Sequence, residues 1–353
     1  MTGADVLPAT LLGLAREAEQ KRALAREAAG GRLVTSRPAD VRWLLCGRGR
    51  PVDASSPSSP YTIVLDESGS RALYPDIEDP RVRAEERLDE LGYELAPYPW
   101  HEGHGLSETP SVLDALRLVL EEGERERYRR AGADVADAMR TTLPRLRPTT
   151  RELEAAGDLA GEAMRRGFTT PVVLVAGAER QRVHRHPLPT GAELGRHAML
   201  AITAEREGLH VSMTRLVSFG PPPEELGRLV AAAAEVDAAM LSASTPGTTT
   251  GEVLAVASDA YAAQGFPGEW RLHHQGGLTG YRGREIFATP GEPTRLPSSC
   301  AVAWNPSLTG GAKSEDTALV GPEGVEILTR TPELGELETR SLPRPAIVEL
   351  PGA

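Results

Sequence analysis

The chain has 353 residues, of which 40% are hydrophobic, 25% charged and only 4% aromatic. That length holds two domains with separate cores, and the composition is that of a soluble globular protein. A formal net charge of −11 argues against a duplex nucleic-acid binder, which needs a basic face to displace counterions, although net charge says nothing about individual clefts.

From the N-terminus, Leu11 to Ala29 has helical periodicity, with Leu11, Leu12, Ala15, Ala18 and Ala23 near one face. The residues before it lack a basic segment followed by an apolar run. No window approaches the ~18 apolar residues of a membrane span, so a cytoplasmic protein without membrane partners is expected. Arg32 to Gly47 reads as a short strand, a turn at Ser36-Arg37-Pro38 and a second apolar segment. Tyr61 to Leu65 and Arg71 to Tyr74 alternate as a hairpin around Asp66 to Gly69. Val82 to Leu91 reads as a charged helix, Tyr93 to Leu95 as a strand, and Trp100 to Pro110 as a boundary rich in Gly and His. Ser111 to Glu122 reads as a helix that buries Leu113, Leu116, Val119 and Leu120. The expected division is residues 1–120 and 121–345. Cys46 and Cys300 have apolar or small neighbours and read as two reduced, buried thiols.

The second half contains an internal repeat. GADVADAM (Gly132 to Met139) recurs as AAEVDAAM (Ala233 to Met240), each followed by a Pro, a Thr-Thr pair, a Glu and a small-residue helix. An offset of this size is far beyond solenoid periods and points to a domain made of two similar halves.

Chemistry concentrates after Val172 to Ala178, an apolar, β-branched strand. His184 and His186 follow at a spacing that, on a strand, would share one face. Glu205, Glu207 and His210 are hard or borderline ligands close in sequence, but they fall at a hairpin turn near Gly208, where solvated charges are the default. Gly276-Gly277 precedes no helix with phosphate-loop spacing, and no serine-hydrolase motif is present.

HHQGGLTGYRGRE (His273 to Glu285), AWNPSLTGG and KSEDTALVGPEGVEILT (Lys313 to Thr329) follow in an order that resembles the C-terminal signature of the creatinase, aminopeptidase P and prolidase superfamily. The resemblance implies an α/β pita-bread domain with a pseudo-twofold repeat, preceded by a smaller creatinase-type N-terminal domain. In the peptidases of that superfamily two divalent metals sit between two Asp, one His and two Glu. With Thr214-Arg215 as anchor, the Asp positions hold Ala201 and Ser212, the His position Gly277 and the first Glu position Asn305. Only Glu315, in Ser-Glu-Asp-Thr, is retained, and no Asp occurs from Pro187 to Val236. Neutral groups of this kind do not offset cation desolvation, so no metal and no other cofactor is expected. The resemblance to creatinase, the metal-free member, implies a metal-independent enzyme acting on a C–N bond of a small carboxylate-bearing molecule. In it His184 is the acid/base, Glu315 and Asn305 hold the bond being broken, Arg284 anchors the carboxylate, and His186, His274 and Arg282 line the substrate site. A catalytically inactive binding module and an aminopeptidase with relocated metal ligands are the alternatives. Partners implied are a small molecule or short peptide and a second copy in a homodimer.

Overall fold

The computed structural model describes residues 11–352, which fall into two units: residues up to Arg127 together with Glu207–Leu209, and Tyr128–Arg206 with the remainder from His210.

In the first unit a four-stranded sheet runs β1 (Leu33–Thr35), β2 (Thr62–Asp66), β3 (Gly69–Pro75), β4 (Glu94–Tyr98), antiparallel except for the β3–β4 pair. The hairpin expected around Asp66 to Gly69 forms. The Leu11–Ala28 helix also forms, but it buries Leu14, Glu17, Ala18, Lys21, Arg22 and Ala25 while Leu12 is 64% exposed. Its inward face is set by an ionic cluster: Lys21 pairs with Glu17 and Glu124, both at 2.7 Å, and Arg127 pairs with Glu17 at 2.6 Å. Apolar periodicity alone does not reveal such a face. The Val82–Leu91 stretch is not a regular helix. A π turn at Val82–Glu86 and a 3-10 turn at Leu88–Leu91 are separated by Arg87, whose φ of 48° is left-handed. From Ser111 to Glu121 only Asp114–Arg117 is helical, and Val119 is exposed instead of buried. Cys46 and Cys300 are free and buried, and burial pushes both thiols up to about 12.

The second unit repeats one plan twice. Helices Glu122–Thr142 (its first turns in the first unit) and Glu152–Arg165 precede β5 (Thr169–Gly177), β6 (His197–Arg206) and β7 (Leu209–Phe219). Helices Glu224–Ala243 and Thr250–Ala263 precede β8 (Gly276–Thr279), β9 (Ile286–Phe287), β10 (Cys300–Trp304), the ribbon β11 (Ser307–Leu308) and β12 (Ala312–Lys313), β13 (Asp316–Gly321) and β14 (Gly324–Ile327). The second helix of each pair starts just after the Thr pair, at Glu152 in the first copy and at Thr250 in the second. At Thr249 the hydroxyl accepts from the Glu252 N–H at 3.1 Å while the Glu252 carboxylate accepts from the Thr249 N–H at 2.7 Å, a reciprocal cap. β15 (Glu336–Leu337) and β16 (Arg344–Pro345) pair with each other, and β17 (Val348–Leu350) adds in parallel to β7. The two main sheets run β17-β7-β6-β5 and β14-β13-β10-β8-β9. They meet where the Thr214 N–H donates to the Glu315 carbonyl at 3.0 Å and Ser212 exchanges bonds of 2.8 and 3.0 Å with the Thr317 hydroxyl. This repeated two-layer α/β arrangement is the pita-bread fold.

Candidate functional site

The seam between the two sheets is built by Lys313-Ser314-Glu315-Asp316-Thr317, whose extended backbone sends alternate side chains to opposite sides. Ser314 and Asp316 point away from the cavity into a buried ionic network. Arg344 bridges Asp237 and Asp316 at 2.6 Å each, Arg215 donates to Asp316 at 2.9 Å, and the Ser314 hydroxyl donates to Asp237 at 2.5 Å. With that side fixed, Lys313 and Glu315 face the other way together.

Glu315 is 4% exposed and lies between two cations. Its Oε1 accepts from Arg284 Nη2 at 3.1 Å, and its Oε2 lies 3.0 Å from Lys313 Nζ and accepts from the Thr214 hydroxyl at 2.8 Å. Burial raises the carboxyl pKa, but Lys313, Arg284 and the Thr214 hydroxyl together outweigh it and hold the group below its ordinary value. Glu315 is therefore ionised at neutral pH and accepts hydrogen bonds without donating any. Two positive charges face one negative charge. Arg284 also donates to Ser212 Oγ at 3.4 Å and to its neighbour's carbonyl at 2.6 Å, while its Nε is buried with no partner.

This cluster opens on a cavity of about 360 Å³. Part of its lining is apolar, from Val172, Leu174, Ala201, Ile202 and Phe287. The rest includes His186, His210, His274, Arg282, Arg284, Asn305, Lys313 and Glu315. Asn305 is 2% exposed and its Oδ1 has no hydrogen-bond partner among the described residues, so the cavity offers a desolvated acceptor.

The donor set at the superfamily's metal position does not fit a pair of divalent cations. Ala201 and Ser212 bring no charge. Gly277 cannot be exchanged for a ligating side chain on this backbone, because its φ is 155° and an added Cβ would lie 2.0 Å from the Ile286 carbonyl oxygen. The single remaining carboxylate is already engaged by Lys313 and Arg284, where a cation would be repelled.

Of the residues expected at the site, Glu315, Arg284, His186, His274, Arg282 and Asn305 line this cavity, with Arg282 at its more exposed edge. His184 does not. It is exposed, and it lines a separate pocket of about 60 Å³ with Gln181, Met199 and Thr309. The strand expected through His184 and His186 is a loop: β5 ends at Gly177, a short helix spans Ala178–Gln181, and β6 starts at His197. The two imidazoles therefore need not share a face, and His186 is the one that lines the cavity. His210 was expected at a hairpin turn but lies on β7, with Nδ1 3.2 Å from the Gly280 carbonyl oxygen. The turn itself is Glu207-Gly208, both with positive φ, as a tight two-residue hairpin requires.

Two contributors are not apparent in the sequence reading. Lys313 was detectable, since it stands two residues before Glu315 and shares its face. His273 is 9% exposed, and its Nε2 lies 2.7 Å from His186 Nε2. Burial, with Lys313 and neighbouring imidazoles, lowers the His273 pKa to about 2. Burial and Arg284 lower His274 to about 4, and burial with Lys313 lowers His186. All three rings are neutral at pH 7.

The profile of metallopeptidase family M24 matches residues 126–322, more than half the chain. A probable dipeptidase, PepE, of Mycobacterium tuberculosis is 26% identical over 230 residues, covering 63% of this chain and 61% of that protein. The match thus spans under two thirds of the length of that relative. The agropine synthesis cyclase of Rhizobium rhizogenes is 28% identical over 198 residues, covering 52% of this chain and 49% of that one. The crystal structure of dipeptidase PepE from Mycobacterium ulcerans superposes with a TM-score of 0.71 at 20% identity, covering 91% of this chain and 96% of that chain. Given the repeated helix-pair and sheet plan, the retained Glu315 and the family match across both halves, the chain belongs to metallopeptidase family M24, within the creatinase and aminopeptidase P superfamily.

Proposed function

We propose that the chain is a hydrolase-type enzyme that acts on a C–N bond of a small carboxylate-bearing molecule, with Lys313 and Arg284 in place of the paired metals of the family's peptidases. The observation that carries this reading is the excess cation at the cavity wall: Lys313 and Arg284 both contact Glu315, so one positive charge is uncompensated beside an enclosed space. A substrate carboxylate supplies the missing charge, and a buried guanidinium binds it with directional hydrogen bonds. The unpartnered Asn305 Oδ1 accepts a substrate N–H and orients the bond to be broken. Neutral His186 takes up and returns the proton, the role that the resemblance to creatinase implied for His184. Glu315 stays ionised and holds the two cations in position. The dipeptidase relatives support including short peptides, which carry both a C–N bond and a carboxylate, in the substrate class.

The test is a panel of N-substituted amino acids and dipeptides, including those with proline second, followed by mass spectrometry. Turnover should fall ~10²–10⁴-fold in His186→Ala and stay near the starting value in His184→Ala. Equal activity in the two variants, or turnover that appears only with two equivalents of divalent cation per chain, would overturn the reading.

A further inference from the structure

We propose that His186, His273 and His274 form a mononuclear transition-metal site on the wall of the cavity, distinct from the position at which the family's peptidases bind their paired metals. The three side chains each offer a ring nitrogen, and these atoms all lie within 4.8 Å of one another. Among the described residues no other group of three or more His, Cys, Asp or Glu converges in this way. The rings are stacked and tilted against each other, with centroids 4.4 Å apart for His273 and His274, 4.6 Å for His186 and His273, and 5.5 Å for His186 and His274.

The arrangement is poised to exchange a proton for a ligand. His273 is almost fully buried and its Nδ1 has no partner among the described residues, so Nε2 is the nitrogen it presents to the cluster. That Nε2 faces the Nε2 of His186 at 2.7 Å. Two neutral imidazole nitrogens that face each other share one proton, so the two rings hold opposite tautomers. A metal ion takes the place of that proton, and both nitrogens then present lone pairs to it. Two imidazoles bound at ~2.0–2.1 Å in a tetrahedron sit about 3.3 Å apart, so the pair has to open by only a fraction of an ångström. His186 is on a loop and exposed, which allows it.

The chemistry of the donors selects the ion. Three imidazoles with no carboxylate or thiolate suit Zn²⁺, Co²⁺, Ni²⁺ or Cu²⁺ and not Mg²⁺ or Ca²⁺. Three protein ligands leave a fourth position open, as in catalytic rather than structural sites. All three ligands are neutral, and Lys313 and Arg284 on the same cavity repel a cation, so the ion keeps its full charge and is held together with an anion in that fourth position. The inference does not rest on the proposed reaction, but the two share His186: a ring nitrogen bound to the ion cannot take up a proton, so the metal-bound chain holds a carboxylate through Lys313 and Arg284 without turnover through that nitrogen.

The experiment uses the full chain without a polyhistidine tag, stripped with chelator and titrated with zinc by calorimetry. Cobalt substitution is followed by visible absorption, and metal content by elemental analysis. One zinc per chain is expected at micromolar concentration, with the intense visible bands of four-coordinate cobalt. His273→Gln, His186→Ala and His274→Ala should each weaken binding by more than the ~10–100-fold typical of an outer-shell partner. His184→Ala and Glu315→Gln should keep the stoichiometry. His273→Gln preserves bulk in the buried position, and circular dichroism of each variant separates lost binding from lost fold. The proposal is overturned if the wild-type chain binds no zinc at micromolar concentration, or if well-folded His186→Ala and His274→Ala variants bind it unchanged. Two ions per chain, lost with Glu315→Gln and kept in the histidine variants, would overturn both this site and the proposed function. An absence of zinc with carboxylate binding intact would overturn this site alone.

Discussion

Two buried glutamates in this molecule have almost the same surroundings but differ in what lies beside them. In the first unit Glu17 is held by Lys21 and Arg127, and Lys21 also pairs with Glu124, so two carboxylates meet two cations. In the second unit Glu315 is held by Lys313 and Arg284, which among the described residues pair with no second carboxylate, and the cluster faces a cavity of about 360 Å³. Both carboxyls lie below their ordinary pKa, Glu17 at about 2, for the same reason: paired cations outweigh the opposing effect of burial. The first cluster joins Lys21 and Arg127 to Glu17 and Glu124 and ties one helix to the start of another. The second carries an excess positive charge next to a space that a ligand can fill. A Lys-Glu-Arg contact is therefore not evidence of a site by itself. The uncompensated charge and the adjoining space are what distinguish one.

The largest expected effect tests that contrast. Glu17→Gln breaks the buried pairs of Glu17 with Lys21 and Arg127, and breaking a buried pair costs about 3–5 kcal/mol. Glu315→Gln should cost less, about 1–3 kcal/mol, because the cavity admits water and small anions to the stranded cations. Urea unfolding should rank the variants in that order. Millimolar acetate or phosphate should restore part of the loss in Glu315→Gln and none in Glu17→Gln. Equal losses with no anion dependence would show that the two clusters are the same kind of object.

The pH dependence follows from the same pairs. A carboxyl with a depressed folded pKa contributes stability that is complete above its unfolded value and is lost as pH falls through the folded value. For Glu17 that window runs from its ordinary 4.5 down to about 2, and the shift corresponds to about 3 kcal/mol. Glu315 shifts in the same direction, so its contribution is also lost below the ordinary carboxylate range. Acid unfolding of Glu17→Gln, measured against the wild-type chain, should lack most of the stability change between pH 4.5 and 2. A parallel curve would remove Glu17 from the account.

Much of this was legible in the sequence. The helix pairs were marked by the repeat, each copy followed by a Pro, a Thr pair and a Glu, and the strands by β-branched runs. What was not legible depended on direction. Leu12 looked like a core residue, but the face around Lys21 is buried because the charges on it are paired with residues of a distant helix. His184 and His186 were read on a strand, but β5 stops at Gly177, and only His186 lines the cavity. Lys313 could have been found by applying the two-residue period to Glu315. The convergence of His186 on His273 depends on two loops some 90 positions apart, and no local pattern encodes it.

Lys313→Met isolates the excess charge without emptying the wall. Glu315 keeps Arg284 and Thr214, so the cluster becomes one cation against one carboxylate. Binding of small carboxylates, read by calorimetry or by the rise in melting temperature, should weaken by about 10–100-fold, the effect of losing one charge-assisted contact (~1.5–3 kcal/mol). Lys313→Arg should retain most of the affinity, because the charge stays even though the geometry changes. If Lys313→Met binds carboxylates as well as wild type does, Arg284 alone accounts for the site and the count of charges loses its meaning.

Ser212→Asp would make the second cluster resemble the first, and it should have the smallest effect on stability. Ser212 is 1% exposed and its hydroxyl lies 3.4 Å from Arg284 Nη1. An aspartate there gains a cationic partner at once, and the cluster becomes two carboxylates against two cations, as around Glu17. The gain in pairing and the cost of burying the new charge oppose each other, so the melting temperature should move by no more than about 1 kcal/mol allows, ~2–4 °C for a chain of this size. Carboxylate binding should nevertheless be lost, because no uncompensated charge remains. The substitution also restores one of the family's metal-ligand positions. With Ala201, Gly277 and Asn305 unchanged and Lys313 still paired to Glu315, elemental analysis should find no added manganese or cobalt relative to wild type. Acquisition of a tightly bound ion at Ser212→Asp would mean that the family's metal position lies one substitution from function, and that Lys313 and Arg284 yield to a cation instead of replacing it.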